Sequence, residues 1–158
     1  GIEAWGRAAP LNYLLARRSY SIGEIAFKLK QKGYSEETAM AIIPVFMERG
    51  LLDDKNFARE LTASILRQKP AGKAYIIGKL RQKHIPHSMA QSVVDYMFLQ
   101  EDEVDLAARL LRGRWRHFSK FDLESARRKA YNYLSRRAIG YAAAKEAFEI
   151  ILKEEGKN

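Results

Sequence analysis

Few residues of this chain have the type and spacing that catalysis or metal binding requires. The three histidines are His84, His87 and His117, and there is no cysteine. His84 and His87 flank an Ile-Pro pair, but a zinc site would need a thiolate partner or the H-E-x-x-H spacing. We therefore interpret the histidines as surface residues and predict no metal site.

The sequence also lacks a phosphate-binding loop and the motif of a catalytic nucleophile. The segment AGKAY (71–75) contains a Gly-Lys pair, but Arg67 stands where such a loop needs a glycine, and Ala74 where it needs Ser or Thr. No G-x-S-x-G or S-x-x-K motif occurs. We predict a protein that is not an enzyme and that binds no cofactor.

Two acidic groups offer carboxylates that could bind a cation: Asp53 with Asp54, and EDEVD (101–105). Both stand where a predicted helix begins. Carboxylates at that position accept hydrogen bonds from free N–H groups and interact favourably with the helix dipole. We interpret them as helix caps.

The main chemical signal is a repeated arrangement of basic residues. The segment KLKQKGYSEETAMAII is followed, at an offset of 51 residues, by the similar segment KLRQKHIPHSMAQSVV. Lys28 and Lys32 are four residues apart and therefore neighbours on one helix face, and Lys79 and Lys83 are the equivalent pair.

A third copy follows at a further offset of 54 residues, with Tyr133 and Arg137 at the same positions and Lys129 one turn earlier. In each copy the leucine after the first of these positions belongs to the apolar face, so the cations should point outward. Three further basic residues widen the stripe: Lys30, Arg81 and Arg136.

A net charge of +9 and a pI of about 9.8 indicate an anionic partner, either nucleic acid or an acidic protein surface. Lysine-rich faces can also serve solubility alone. We favour a binding face because no Asp or Glu lies between Phe27 and Lys32. The predicted partner- or DNA-binding face is Arg17, Arg18, Lys28, Lys30, Lys32, Lys73, Lys79, Arg81, Lys83, Arg114, Arg116, Lys129, Arg136 and Arg137.

The segment RGRWRHF (112–118) has two interpretations. Its aromatic residues could stack on bases while the arginines contact phosphates. Alternatively, Leu111, Trp115 and Phe118 continue the apolar face of a helix into the core, and their i, i+4, i+7 spacing favours that alternative.

The elements that must position these residues are helices. Apolar residues recur at helical spacing, as in Ile22, Ile25 and Leu29. The segments SIGE (21–24) and SEET (35–38) are predicted helix starts, the first with capping-box spacing. Gly33 and Gly50 fall just past helix ends, where positive φ is required. Pro86 is expected in the first turn of a helix.

A further helix precedes each such pair, and in the first copy it would contain Leu11, Leu14 and Leu15. No segment alternates apolar and polar residues as a strand does. We predict an all-α fold of three tandem three-helix bundles, 1–52, 53–100 and 101–158, in an elongated or curved arrangement. Bundles this small should pack against their neighbours.

We predict a cytoplasmic monomer without membrane contact. No apolar run approaches the roughly 20 residues that span a bilayer. The start of the sequence lacks the basic and apolar regions of a signal peptide. The absence of cysteine is consistent with a reducing compartment.

Over nearly its whole length the chain resembles the RecX family of bacterial regulators of the RecA recombinase. The most specific segments are YLLARRSYSIGEIAFKLKQKGY (13–34) and ERGLLDDKNFAREL (48–61), and LSRRAIGY (134–141) resembles the turn into the family's last helix. The middle repeat departs from the family pattern: Lys73 replaces a proline, Tyr75 and Ile77 replace arginines, and His84 replaces a glycine.

The resemblance implies a non-enzymatic protein that lies in the groove of the RecA–DNA filament. There it would limit filament growth, ATP hydrolysis, strand exchange and coprotease activity, with single- or double-stranded DNA as a further partner. The rival hypothesis is a direct DNA-binding protein built from helix-turn-helix-like units. Its reading helices would be 36–48 and 87–99. The first, EETAMAIIPVFME, has a partly acidic exposed face, which disfavours that role. A scaffold for acidic partners is the third alternative.

Overall fold

A computed structural model of the chain describes residues 14–16 and 18–156, so that Leu11 and Arg17 lie outside the described residues. Residues 14–16 are helical. The helices that follow are α1 (Ile22–Gln31), α2 (Glu36–Glu48), α3 (Asp54–Gln68), α4 (Lys73–Gln82), α5 (His87–Phe98), α6 (Glu103–Phe118), α7 (Leu123–Arg136) and α8 (Tyr141–Glu154). The described residues contain no strand, and the all-α prediction is confirmed. The order of the helices is consistent with successive groups of three.

The helix starts and ends follow from local side chains. Ser21 accepts a hydrogen bond from the Glu24 N–H, and the Glu24 side chain accepts one from the Ser21 N–H, which confirms the capping box. Ser35 caps α2 in a similar way. Gly33 and Gly50 have φ of 88° and 71°, as predicted.

The acidic groups cap helices, as predicted. Asp53 accepts from the Asn56 N–H at the start of α3, and Asp102 accepts from two N–H groups at the start of α6. Asp54 has a longer-range role: it is buried and accepts from the Ile22 N–H at 2.8 Å, at the start of α1.

Pro86 differs from its prediction. It precedes α5 instead of lying in its first turn, and its carbonyl accepts the Ala90 N–H. Pro86 is therefore the residue immediately before the first turn of α5, and its fixed φ suits that position.

The chain divides into two compact units. Unit 1 is Gly1–Glu60 with Lys79–Val93, and unit 2 is Leu61–Gly78 with Val94–Asn158. The second predicted repeat contributes to both units, because the division falls within α3, α4 and α5. The repeat limits 1–52, 53–100 and 101–158 stay a prediction.

Each unit has its own apolar core. In unit 1, α1 packs on α2 around Tyr20, Ile25, Leu29, Ile42, Phe46 and Leu52. In unit 2, α6, α7 and α8 pack on one another, and their buried residues include Leu111, Trp115, Phe118, Leu134 and Phe148. Trp115 and Phe118 thus belong to the core, which confirms the favoured interpretation of RGRWRHF. Within the described range, no helix is both long and apolar enough to cross a bilayer.

The repeat register is confirmed at its central apolar position. Leu29, Leu80 and Leu134 are all 0% exposed. Each of their carbonyls accepts an N–H from the residue five positions later, at 3.0 Å, as in a Schellman helix end. The equivalent segments therefore end their helices with the same backbone geometry.

Candidate partner-binding surface

Unit 1 presents a group of predicted cations to solvent, which we call the unit 1 basic surface: Lys28 and Lys30 in the last turn of α1, Lys32 at its C-cap, and Lys79 and Arg81 in the last turn of α4. All are exposed except Lys28, which is half-buried with its ammonium 5.6 Å from the centre of the Tyr20 ring. The outward orientation expected from helical periodicity holds for the four exposed residues.

The unit 1 basic surface has little acidic compensation. In the part of the chain that the structure describes, no carboxylate lies within 4.0 Å of Lys28, Lys30, Lys32 or Arg81. Arg18 differs, because its guanidinium lies 3.7 Å from the Tyr20 ring centre and donates to Glu24 at 3.3 Å. Arg18 is therefore engaged within the chain.

An apolar pocket of about 590 Å³ adjoins the unit 1 basic surface, between α1 and α2. Lys30 lines it together with Phe27 and Met40, whose exposed fractions are 52% and 75%. Exposed apolar side chains of this size beside cations are typical of a surface that a protein partner covers.

Lys83 lies at a contact that we call the unit 1 junction, where the end of α4 meets the start of α1. The Ser21 hydroxyl donates to the Lys83 carbonyl, and the Lys83 ammonium lies 3.7 Å from Glu24. Lys83 is half-buried. The contacts with Ser21 and Glu24 hold Lys83 at this junction.

Arg137 lies at the equivalent contact in unit 2, the unit 2 junction, where the end of α7 meets the start of α4. Its guanidinium donates to the carbonyls of Lys69 and Pro70, at 2.6 and 3.0 Å, and to the Tyr75 hydroxyl at 3.0 Å. Its carbonyl accepts the Gly72 N–H at 2.7 Å. The guanidinium also lies 4.3 Å from the centre of the Tyr75 ring.

The basic position common to the three copies therefore does not face outward throughout. Lys32 is exposed, whereas Arg137 uses its donors within the chain, on the carbonyls of Lys69 and Pro70 in the loop that follows α3. A stripe on one helix cannot reveal this contact. We leave Arg137 and Lys83 out of the surface proposed below.

Both junctions bring two backbones unusually close together. A Cβ on Gly23 would lie 2.3 Å from the His84 Cβ, and one on Gly72 would lie 2.0 Å from the Ala138 oxygen. His84 and Ala138 have φ of 67° and 60°, the left-handed region that Gly33 occupies in the first copy. Gly33, which stands 51 residues before His84, is the signal in this sequence for the left-handed position.

The remaining predicted residues lie in unit 2. Lys73 pairs with Asp95 at 3.4 Å, and Arg116 and Arg136 are exposed. The Arg114 guanidinium lies 4.6 Å from the centre of the buried Tyr133 ring. Arg114, Lys129 and Arg136 line one pocket of about 240 Å³, so α6 and α7 bring these three predicted cations together.

Sequence reasoning missed two cations near this group, Lys69 and Arg109. Both line a second pocket, of about 320 Å³, that includes Arg114 and Tyr133. Arg109 donates to the carbonyls of Leu66 and Arg67, at the end of α3. Among the residues that the structure describes, no cluster of His, Asp and Glu has the arrangement of a metal site.

Comparison with known proteins identifies the family. Residues 13–43 match the model described as RecX, first three-helix domain. The regulatory protein RecX of Treponema pallidum subsp. pallidum is 32% identical over 129 residues, 80% of this chain and 79% of that protein. The regulatory protein RecX of Pelodictyon phaeoclathratiforme is 29% identical over 139 residues, 88% and 84% of the two chains.

The fold agrees with this. The crystal structure of RecX from Lactobacillus salivarius matches with a TM-score of 0.75 over 93% of both chains, at 19% identity. Sequence identity that extends over most of both chains, together with this shared fold, shows that the chain belongs to the RecX family of regulatory proteins.

Proposed function

We propose that this protein is a non-enzymatic inhibitor of the RecA recombinase. It binds along the groove of the RecA–DNA filament and limits filament growth, ATP hydrolysis, strand exchange and coprotease activity. Membership of a family of regulatory proteins supports a regulatory role. The recombinase as target comes from the family resemblance, and it is supported by the character of the unit 1 surface.

The observation that carries the proposal is the proximity of cations and apolar side chains on unit 1. Lys30 lines the same pocket as Phe27 and Met40. A partner protein can bury both kinds of group, since protein interfaces combine an apolar centre with a polar rim. Bare DNA would contact the cations and leave Phe27 and Met40 in water.

The α2 helix argues against recognition of a DNA sequence. It would be the reading helix of a helix-turn-helix module, yet Glu36, Glu37 and Glu48 are all exposed on it. Phosphates repel carboxylates, so an approach of α2 to a DNA groove is unfavourable. A protein filament assembled on DNA is therefore a better partner for α1 and α2 than bare DNA.

The test is DNA-dependent ATP hydrolysis by RecA with substoichiometric amounts of this protein. The triple variant Lys30→Glu, Lys32→Glu, Arg81→Glu should lose inhibitory potency by roughly ten-fold or more, equivalent to about 1.4 kcal/mol of binding free energy. Met40→Asp should also weaken inhibition, because a carboxylate would be buried at the apolar pocket.

The matched control is Lys120→Glu, Lys145→Glu, Lys153→Glu, which makes the same charge change at exposed positions of unit 2. It should inhibit like the wild type. Circular dichroism must show that both triple variants are folded. Full inhibition by the folded unit 1 variant would show that this surface does not meet the recombinase.

A further inference from the structure

Two of the four methionines lie on one exposed face of α2, and we call this pair the methionine face: Met40 and Met47. Their exposed fractions are 75% and 47%. A separation of seven residues corresponds to about two helical turns, so both side chains lie on the same side of α2 as Ile43. Ile43 lines the apolar pocket of unit 1. The other two methionines, Met89 and Met97 on α5, are half-buried.

Met40 is part of the surface proposed for the recombinase, because it lines the pocket together with Phe27 and Lys30. Since most of this residue is exposed, it contributes little to the core of unit 1. A flexible thioether side chain adapts to the shape of an apolar partner and is common at surfaces that bind proteins. The apolar character of Met40 therefore serves contact with a partner and not the stability of α2.

The thioether sulfur is also the group that a peroxide oxidises most readily in this chain, because the sequence contains no cysteine. Hydrogen peroxide transfers one oxygen atom to the sulfur. The S–O bond forms as the O–O bond breaks, the thioether loses two electrons, and the peroxide leaves as water. The product, methionine sulfoxide, is polar and chiral, and reductases that use a thiol reductant return it to methionine.

Oxidation of Met40 would place a hydrogen-bond acceptor in an apolar pocket. Phe27 and Ile43 have no side-chain donor, so a partner that covers the pocket would bury the sulfoxide oxygen without a hydrogen bond, which is unfavourable. Lys30 is a donor in the same pocket. If its ammonium binds the sulfoxide, it is no longer available to an acidic group of the partner. Both outcomes weaken the contact.

We propose that the methionine face is a reversible oxidation site, and that oxidation of Met40 by a peroxide switches off partner binding at the unit 1 surface. This inference rests on the proposed function, since it concerns the regulation of the same surface. The fold should not change, because the modified side chains are exposed. An inhibitor with this property would release the recombinase under the oxidising conditions that damage DNA.

The first measurement is peptide mass spectrometry of the protein alone after treatment with hydrogen peroxide. Met40 and Met47 should be oxidised at least roughly three-fold faster than Met89 and Met97, in line with their exposure. Thermal unfolding followed by circular dichroism should be unchanged when Met40 is fully converted. Equal rates for all four methionines, or a protein that unfolds on oxidation, would overturn the proposal.

The second measurement is inhibition of ATP hydrolysis by RecA that has not been oxidised, after the peroxide has been removed. The oxidised wild type should lose inhibitory potency by roughly ten-fold, since a polar oxygen is buried without a partner. Treatment with the two methionine sulfoxide reductases, one for each epimer, should restore it. Met40→Gln is polar and of similar length, so it should inhibit weakly without peroxide.

Each variant is compared with itself before and after peroxide, so that effects of the substitution on the untreated protein cancel. Met40→Leu, Met47→Leu removes both sulfurs of the methionine face, and its potency should change by less than roughly two-fold on treatment. The matched control is Met89→Leu, Met97→Leu, which removes the same number of sulfurs and should lose potency on treatment as the wild type does.

An equal loss in the two double variants would overturn the proposal, because oxidation would then act outside the methionine face. The proposed function fails in a different way. Absence of inhibition by the untreated protein would overturn the proposed function. Normal inhibition that survives full oxidation of Met40 would overturn the switch alone.

Discussion

The two junctions place equivalent backbone positions together but use different side chains. In unit 1, the end of α4 meets the start of α1 through Lys83 and Glu24. In unit 2, the end of α7 meets the start of α4 through Arg137 and Tyr75. An offset of 51 residues relates Glu24 to Tyr75, so the same two positions of the repeat face each other in both cases.

The difference lies in how much each pair contributes. The Lys83–Glu24 contact is a single ion pair at 3.7 Å whose lysine side chain is 45% exposed. Pairs of that kind contribute about 0–1 kcal/mol. Arg137 makes three hydrogen bonds, two of them to the carbonyls of Lys69 and Pro70 in the loop that follows α3, and its guanidinium also lies over the Tyr75 ring. A basic residue at one repeat position can therefore serve a weak contact in one copy and a strong one in another.

Both junctions contain a close backbone approach with a glycine and a left-handed residue, but the glycines stand at different repeat positions, since the offset of 51 relates Gly72 to Ser21 and not to Gly23. The basic residue is secondary to this close approach. A repeated cation is therefore not by itself a mark of a binding surface.

The largest effect should come from the buried leucine that stands at the same repeat position in each junction. Leu80→Ala and Leu134→Ala remove side chains with no exposure, and each should lower the free energy of unfolding by about 2–5 kcal/mol. Urea unfolding followed by circular dichroism measures this. A loss below about 0.5 kcal/mol for either variant, as at surface sites, would show that the register relating the junctions is wrong.

The second effect concerns the close approach itself. Gly72→Ala would place a Cβ 2.0 Å from the Ala138 oxygen, and backbone must move to relieve the overlap. We expect a loss of about 3 kcal/mol, the upper part of the range for overpacking. Gly23→Ala meets the His84 Cβ instead, at 2.3 Å.

A double variant distinguishes the two junctions. Gly23→Ala combined with His84→Gly should recover part of the lost stability, because the overlapping atom is removed. Gly72→Ala combined with Ala138→Gly should not, because the overlapping atom is a backbone oxygen. Gly78→Ala is the control: it lies inside α4 with open space around it and should gain about 0.5–1 kcal/mol.

The third effect concerns Arg137 and Lys83, the basic side chains that differ between the two junctions. Arg137→Met should cost about 2 kcal/mol, since hydrogen bonds to a charged group are lost and two carbonyls lose their donor. Lys83→Met should cost less than about 1 kcal/mol. Thermal and urea unfolding of both variants compare them directly. Equal losses would contradict the difference drawn between the junctions, and rescue by Arg137→Lys would show that charge alone matters.

Local features of this fold could be predicted from the sequence, whereas the junctions could not. Ser21 and Glu24 are three residues apart, so their capping box is visible in the sequence. Arg137 contacts Pro70 across 67 residues, and no pattern within α7 indicates that contact. Tyr75, a departure from the family pattern, is the residue on which Arg137 stacks.

The candidate partner-binding surface likewise has features that the sequence predicts and features that it does not. Helical spacing was sufficient to predict that Lys30 and Arg81 are exposed. It could not show that Arg114 stacks on Tyr133, nor that Lys69 and Arg109 lie beside it, because these residues come from different helices that only tertiary packing brings together.

The fourth effect tests the left-handed position inside and outside the junctions. Gly33 has φ of 88° and nothing near its Cβ position, so Gly33→Ala tests the helix end alone and should cost about 1 kcal/mol. Ala138→Gly should gain less than about 1 kcal/mol, because relief of the left-handed strain is offset by a more flexible unfolded chain. A large loss on Ala138→Gly would mean that its methyl group is essential to the unit 2 junction.

The smallest effect concerns Asp54, which stabilises the start of α1 in unit 1 by accepting the Ile22 N–H. Burial raises the pKa of Asp54, and this hydrogen bond opposes the increase. Because the pKa is higher in the folded state, the contribution of Asp54 to stability is fully present below its unfolded pKa of about 3.9 and is lost as pH rises through the folded value.

Asp54→Asn keeps an acceptor for Ile22 but cannot ionise. Its free energy of unfolding, relative to the wild type, should therefore increase as pH is raised from below the ordinary aspartate pKa to neutrality, in urea unfolding at several pH values. Glu37→Gln, at an exposed position of α2, is the control for a general loss of negative charge, because Asp53 itself contributes to the raised pKa of Asp54. A relative stability that decreases with pH would mean that the Asp54 carboxylate is favoured as the ion, so that the start of α1 depends on its charge as well as on its hydrogen bond.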